Sequence, residues 1–214
     1  LSFLDPACGS GNFLTETYLS LRRLENQVLA MIIAATKSQV AGQIMFGDEG
    51  EGNPIKVSIG QFYGIEINDF AVTVAKTALW IAESQMMKET EDIVHTSLDF
   101  LPLKSYANII EGNALQLDWE SVIPKYKLNY IMGNPPFIGY SLQSKEQKED
   151  ILSIYIDEKG KPYKTAGKID YVSGWYFKAA QFINGTNIRT AFVSTNSITQ
   201  GEQVAGVWLS LIHI

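Results

Sequence analysis

The chain has 214 residues, of which 46% are hydrophobic, 11% aromatic and 19% charged; 23 acids face 17 Lys and Arg, a formal net charge of −6. At roughly 150 residues per domain that is one domain or little more, and the apolar content excludes disordered, collagen-like and coiled-coil chains. No apolar run approaches the roughly 18 to 20 residues that span a bilayer and no secretory signal opens the chain, so a cytoplasmic protein with no membrane partner is expected.

Taken in order, strands alternate with helices. Leu1 to Leu4 is a short apolar strand that stops at Asp5-Pro6 and Gly9-Ser10-Gly11. Asn12 is placed to cap a helix whose apolar face is Leu14, Tyr18, Leu21, Val28 and Ile32. Gly47 to Pro54 reads as a loop and Gln61 to Ile67 as a second strand. Asn68 or Asp69 then caps a helix with Val72, Ala75, Leu79 and Ala82 on one face. Two further strands are expected at Ala107 to Ile110 and Leu128 to Met132. Lys145 to Lys168 is polar and reads as a solvated loop face, Asp170 opens an apolar helix through Ile183, and Thr190 to Ser194 is another strand. The alternation predicts an α/β fold: a parallel sheet with helices on both faces and a ligand at the carboxyl ends of its strands.

One cysteine, Cys8, excludes an internal disulfide, and His95 and His213 lie far from it in sequence, so no metal site is expected. The net acidity argues against a self-sufficient nucleic-acid binder. The charge is uneven, however. Residues 1–38 carry three acids and three bases, 39–120 thirteen acids and four bases, and 121–214 seven acids and ten bases.

Four strand ends carry chemistry. In Asp5-Pro6-Ala7-Cys8-Gly9-Ser10-Gly11-Asn12-Phe13-Leu14, the glycines let backbone approach a ligand closely. A third glycine at dinucleotide spacing is missing, the next strand-end acid, Glu66, lies far beyond the expected interval, and no Gly-Lys-Ser/Thr follows. The pattern therefore favours a nucleoside without phosphates. The decapeptide resembles motif I of class I S-adenosylmethionine-dependent methyltransferases, in the form found in amino-methylating DNA enzymes. That resemblance implies a Rossmann-like methyltransferase sheet, S-adenosyl-L-methionine as cofactor, and cofactor contacts from Asp5, Ala7, Cys8, Gly9, Gly11 and Phe13.

Glu66, followed by Ile67 at the next strand end, is placed to accept both hydroxyls of a ribose. Glu111-Gly112-Asn113-Ala114-Leu115 resembles the adenine-side loop of the same enzymes, which implies contacts from Asn113 and Ala114. That position is often Asp in such enzymes; the Asn113 carbonyl oxygen can also accept from an exocyclic amine.

Tyr130-Ile131-Met132-Gly133-Asn134-Pro135-Pro136-Phe137 is the most telling stretch. Two prolines stiffen the loop and contribute no competing N–H. An exocyclic amine on an aromatic base is a poor nucleophile because its lone pair is delocalised into the ring. Two acceptors, the Asn134 side-chain oxygen and the Pro135 carbonyl, take both of its N–H groups and favour a more pyramidal nitrogen. Phe137 offers a face on which an extruded base stacks. Asn134, Pro135, Pro136 and Phe137 are thus the expected catalytic set. Trp175, Tyr176 and Phe177 read as core residues, and Ser194-Thr195-Asn196-Ser197 resembles the next strand-end loop of the same enzymes, which implies that either Thr195 or Asn196 faces the target-base pocket.

The whole set is similar to the methyltransferase domain of MmeI-like enzymes, bacterial proteins that join adenine-N6 methylation with restriction or phage defence. The resemblance runs from Asp5 to about Val204 and implies a site-specific DNA adenine-N6 methyltransferase acting on double-stranded DNA. The Asn-Pro-Pro loop also suits protein glutamine-N5 or RNA amino methylation, and cytosine N4 more often shows Ser-Pro-Pro. Residues 1–208 are expected to be a partial catalytic domain, with recognition and nuclease domains outside the chain. The last six residues, Leu209 to Ile214, read as a non-native tail that breaks the helical pattern begun at Glu202, so nothing is assigned to His213.

Overall fold

Alternate side chains of a strand point to opposite faces, and here the apolar residues of the central strands are buried on both. The computed structural model describes residues 1–37, 55–95, 107–156 and 159–212. Strands β1 (Phe3–Asp5), β2 (Phe62–Glu66), β3 (Asn108–Glu111), β4 (Tyr130–Gly133) and β5 (Arg189–Phe192) form one parallel sheet in the order β3-β2-β1-β4-β5. Helices α1 (Asn12–Lys37) and α2 (Asp69–Val94) cover one face; α3 (Trp119–Val122), α4 (Lys145–Ile154), α5 (Ser173–Ile183) and α6 (Glu202–Ile212) cover the other. Phe3, Phe62, Ile109 and Tyr130 point into the first layer, and Leu4, Ile65, Ile110 and Ile131 into the second.

Three rings set the register. Phe3 pairs with Phe62 on one side and Tyr130 on the other, and the rings stack at centroid distances of 5.1 and 5.3 Å. Tyr18 of α1 meets Phe62 edge-on at 5.6 Å, which ties the helix layer to the ladder. The chain crosses from β3 at one side of the sheet to β4 beside β1. The crevice of such a reversal lies at the carboxyl ends of β1 and β4.

The expected strands and helices are present with shifts of one to three residues, and four details differ. Gly11, rather than Asn12, caps α1: its carbonyl takes the Thr15 N–H at 2.8 Å, and Asn12 is the first helical residue. The buried stripe of α1 runs Leu14, Tyr18, Arg22, Asn26 and Leu29, leaving Val28 and Ile32 about half exposed. Arg22 enters the stripe because it donates to Thr90 Oγ1 of α2 at 2.7 Å and pairs with Glu25, while Thr90 donates to Asn26 at 2.8 Å. Helical periodicity in apolar residues alone misses a stripe completed by paired polar groups.

The polar stretch after β4 is not simply a solvated loop. Ser144 and Gln147 form a reciprocal cap that starts α4, and Asp150, Ile151 and Ile154 turn inward. At the other end α6 continues through Ile212 without the expected break at Leu209, and Leu211, one turn after buried Val207, packs on the core. The Gly47 to Pro54 loop and His213 lie outside the described residues.

Gly11 joins the two helices of the first layer. Its φ is +82°, and a Cβ there would lie 3.0 Å from the Ala75 Cβ of α2. Gly11→Ala is expected to destabilise the protein by about 1 to 3 kcal/mol, read as a lower urea midpoint at unchanged slope.

Candidate active site

All five strands deliver their carboxyl ends to one edge, so the loops after them meet there although they are far apart in sequence. The loop after β1 is held from two sides. Gly9, at φ +54°, donates its N–H to Glu66 Oε2 at 2.9 Å, and the other oxygen of Glu66 accepts from Asn68 N–H at 2.9 Å. Asn68 in turn caps α2 by accepting from Ala71 N–H at 3.0 Å. The strand-end acid therefore fastens the glycine loop to the second helix.

Asp5 lies beneath this loop with 1% exposure, accepting from Ala7 N–H at 3.0 Å. Burial pushes its carboxyl up to about 7, and the nearby Glu66 charge adds to the effect. A Cβ at Gly133, the residue before Asn134, would overlap Asp5 Oδ1. The glycine thus lets β4 pass close over a buried carboxyl and places Asn134 at the crevice.

Two hollows flank Asn134 and Phe137. The larger, about 390 Å³, is lined by Ala7, Glu66, Ile67, Asn113, Ala114, Asn134 and Pro136 from the expected set, and by Pro6, Ile65, Gly112, Ile138, Gln147, Tyr171 and Trp175 besides. Among the described residues no Lys or Arg lines it, and Glu66 is the one acidic side chain that does. The smaller, about 210 Å³, is lined by Phe137, Ile138, Gly139, Asp170, Val172, Thr195 and Ser197. Ile138 belongs to both, so the two hollows adjoin behind the Asn-Pro-Pro-Phe loop.

Several expected residues shape the site from behind rather than lining either hollow. Asp5, Gly9 and Gly11 set the course of the first loop. Cys8 is buried among the first helix layer, donating its N–H to Ile65 O at 3.1 Å, and burial drives its thiol far up. Phe13 is 39% exposed in the first turn of α1, and Pro135 is buried between exposed Asn134 and Pro136. Of Thr195 and Asn196, Thr195 lines the smaller hollow, and its hydroxyl lies 2.6 Å from that of Ser197.

Sequence reasoning missed the wall supplied by the second half of the chain. Trp175, a core residue by its sequence pattern, is 5% exposed, but it also lines the larger cavity, with its indole N–H on the Pro6 carbonyl at 2.9 Å. Gln147 and Tyr171 complete that wall. The Ser144-x-x-Gln147 start signal was present and would have pointed to α4. Nothing in the local pattern brings Tyr171 to Asn113.

The family described as "MmeI, DNA-methyltransferase domain" matches residues 1–214. The chain belongs to that family. DNA methyltransferase A of Bacillus subtilis (strain 168) is 42% identical over 214 residues, which cover 99% of this chain and 22% of that protein. The structure of the Type IIL restriction-modification enzyme MmeI in complex with DNA is 43% identical with a TM-score of 0.85, over 100% of this chain and 27% of that one. LlaBIII, an ATP-dependent Type ISP restriction-modification enzyme bound to DNA, shares the fold at 14% identity and a TM-score of 0.54, over 98% of this chain and 14% of that one. The chain thus spans well under a third of these relatives. Among the described residues no group of His, Cys, Asp and Glu is arranged to hold a metal ion, and no helix is long and apolar enough to cross a membrane.

In this member of the MmeI methyltransferase family, Asp5 keeps its proton to about pH 7 when folded, against 3.8 for an ordinary aspartate. The folded state binds the extra proton between those values, so this stabilising contribution is full below about pH 4 and is lost as pH rises through about 7. Asp5→Asn is expected to melt like the unaltered protein near pH 4 and progressively higher than it as pH rises to about 8, measured by thermal unfolding across that range.

Proposed function

We propose that this domain transfers a methyl group from S-adenosyl-L-methionine to N6 of adenine in double-stranded DNA, as the modifying part of a restriction-modification or phage-defence enzyme. One observation carries the reading. The Asn134 side chain, engaged by no hydrogen bond among the described residues, stands on the wall of the larger cavity next to the Phe137 hollow. Family membership supports the same chemistry.

The larger cavity suits the cofactor. Its volume lies within the ordinary range for small-molecule sites. With no cation on its wall it favours a ligand without phosphates, and one carboxylate suits ribose hydroxyls and a positive centre. Glu66 already holds two backbone amides, but each carboxylate oxygen keeps a second lone pair for a hydroxyl. Asn113 and Ala114 form the far wall, with Ile65 and Ile67 as apolar faces. When bound, the cofactor supplies an electrophilic methyl on a sulfonium.

The protein's own task is to make a weak nucleophile available and aim it. Phe137, 43% exposed, offers a stacking face to a base taken out of the duplex. Asn134 Oδ1 and the Pro135 carbonyl accept the two N–H bonds of its amine, which turns the lone pair toward the larger cavity. No strong base is required before transfer; positioning and preset dipoles lower the barrier. Most phosphate contacts are assigned to a recognition domain elsewhere in the full-length protein.

The test is transfer of labelled methyl from S-adenosylmethionine to duplex DNA by the full-length protein, with the product nucleosides identified. N6-methyladenine is expected; label in protein, in RNA or as N4-methylcytosine overturns the reading. Asn134→Ala is expected to lower kcat by about 100-fold or more with cofactor affinity within about threefold. Glu66→Ala is expected to weaken cofactor binding by about tenfold or more, followed by calorimetry.

A further inference from the structure

The larger cavity is held together by a carboxylate that does not line it. Asp150 of α4 is 5% exposed. Its Oδ2 accepts from Asn113 Nδ2 at 2.9 Å and from the Tyr171 hydroxyl at 2.7 Å, and its Oδ1 accepts from Gln116 Nε2 at 2.7 Å. Asn113 and Tyr171 both line the cavity, the first from the turn after β3 and the second from the segment entering α5. One buried oxygen therefore joins a wall contributed by the turn after β3 to one contributed by the segment entering α5.

The turn after β3 is pinned from other sides as well. Lys178 of α5 donates to the carbonyls of Leu115, at 2.8 Å, and Leu117, and the Trp119 indole donates to the Ala114 carbonyl at 2.8 Å. Within that frame the Asn113 amide has one orientation that satisfies both neighbours. Its oxygen takes the Leu115 N–H at 2.9 Å, and its nitrogen faces the Asp150 carboxylate.

We infer that Asp150 is a positioning residue for the cofactor cavity: it aligns Asn113 and Tyr171 on one oxygen, and its charge requires a neutral hydrogen-bond donor at position 113. The inference rests on the reading of the cavity as the S-adenosylmethionine site. An Asp at 113 would set a half-buried carboxylate at hydrogen-bond distance from the buried Asp150 carboxylate, a repulsion that partial removal from water makes costly. An Ala at 150 would leave the Asn113 N–H and the Tyr171 O–H without their acceptor. Exchanging the two residues restores a donor facing an acceptor across the same gap, with the charge moved to the cavity wall and the Tyr171 hydroxyl accepting from the new amide instead of donating.

The experiment measures calorimetric affinity for S-adenosylmethionine and S-adenosylhomocysteine on the full-length protein, alongside its cofactor-free melting temperature and its steady-state kinetics. Asn113→Asp is expected to weaken both ligands by about tenfold or more, and the exchange Asn113→Asp with Asp150→Asn to recover to within about threefold of the unaltered protein. Asp150→Ala is expected to raise the KM for S-adenosylmethionine about tenfold while kcat at saturation changes less than about twofold. Asn113→Asp binding as tightly as the unaltered protein would overturn the inference. So would an exchange variant that melts normally yet binds no better than Asn113→Asp. If the unaltered protein bound neither ligand, the reading of the cavity itself would fail, a result distinct from both.

Discussion

The stack of Phe62, Phe3 and Tyr130 across three adjacent strands is the constraint on which the rest depends. A parallel strand that slips by one residue sends every side chain to the opposite face. Here a slip would turn the rings away from α1 and α2 and shift the loops at the carboxyl edge against one another. With the register held, Glu66 lies level with Glu111 and Asp5 with Gly64, so the strand ends that carry the loops stay within two residues of one another. The site is then a set of loops with fixed origins rather than a flexible rim.

Those loops are tied together by backbone and side-chain donors meeting carboxylate oxygens. Glu66 holds Gly9 and Asn68, Asp5 holds Ala7, and Asp150 holds the side chains that face it from Asn113, Gln116 and Tyr171. Acids dominate this inner layer, while cations stay off the larger cavity. The resulting field suits a ligand carrying positive charge and hydroxyls better than one carrying phosphates. Net charge says little about the site itself, because most of the acidity sits in residues 39–120 and several of those acids are structural, Glu66 holding two backbone amides and Glu83 being buried.

The motifs were legible because each depends on a few neighbouring residues. Gly9 and Gly11 adopt positive φ, Glu66 ends a strand, and Asn134 follows an apolar run into two prolines; local chemistry shows all three. What escaped the sequence depends on distance. Arg22 looks like a break in an apolar stripe until Thr90 and Glu25 come to meet it. Asp150 looks like one more charge in a polar stretch until α4 folds onto the turn after β3. Cys8 and Phe13 belong to the motif by sequence, yet the course of the loop turns one into the core and leaves the other partly exposed outside the cavity lining.

By itself the sequence determined the alternation of strand and helix and the order of the strand-end motifs, because periodicity, glycine and proline act within a few residues. Tertiary structure decided which of those residues line a cavity and which support it. It also decided that Asn113, Tyr171 and Asp150, separated by 37 and 21 residues in the chain, share one oxygen. Burying a carboxylate is favourable only when donors converge on it, and that convergence exists only after the sheet has brought its ends together.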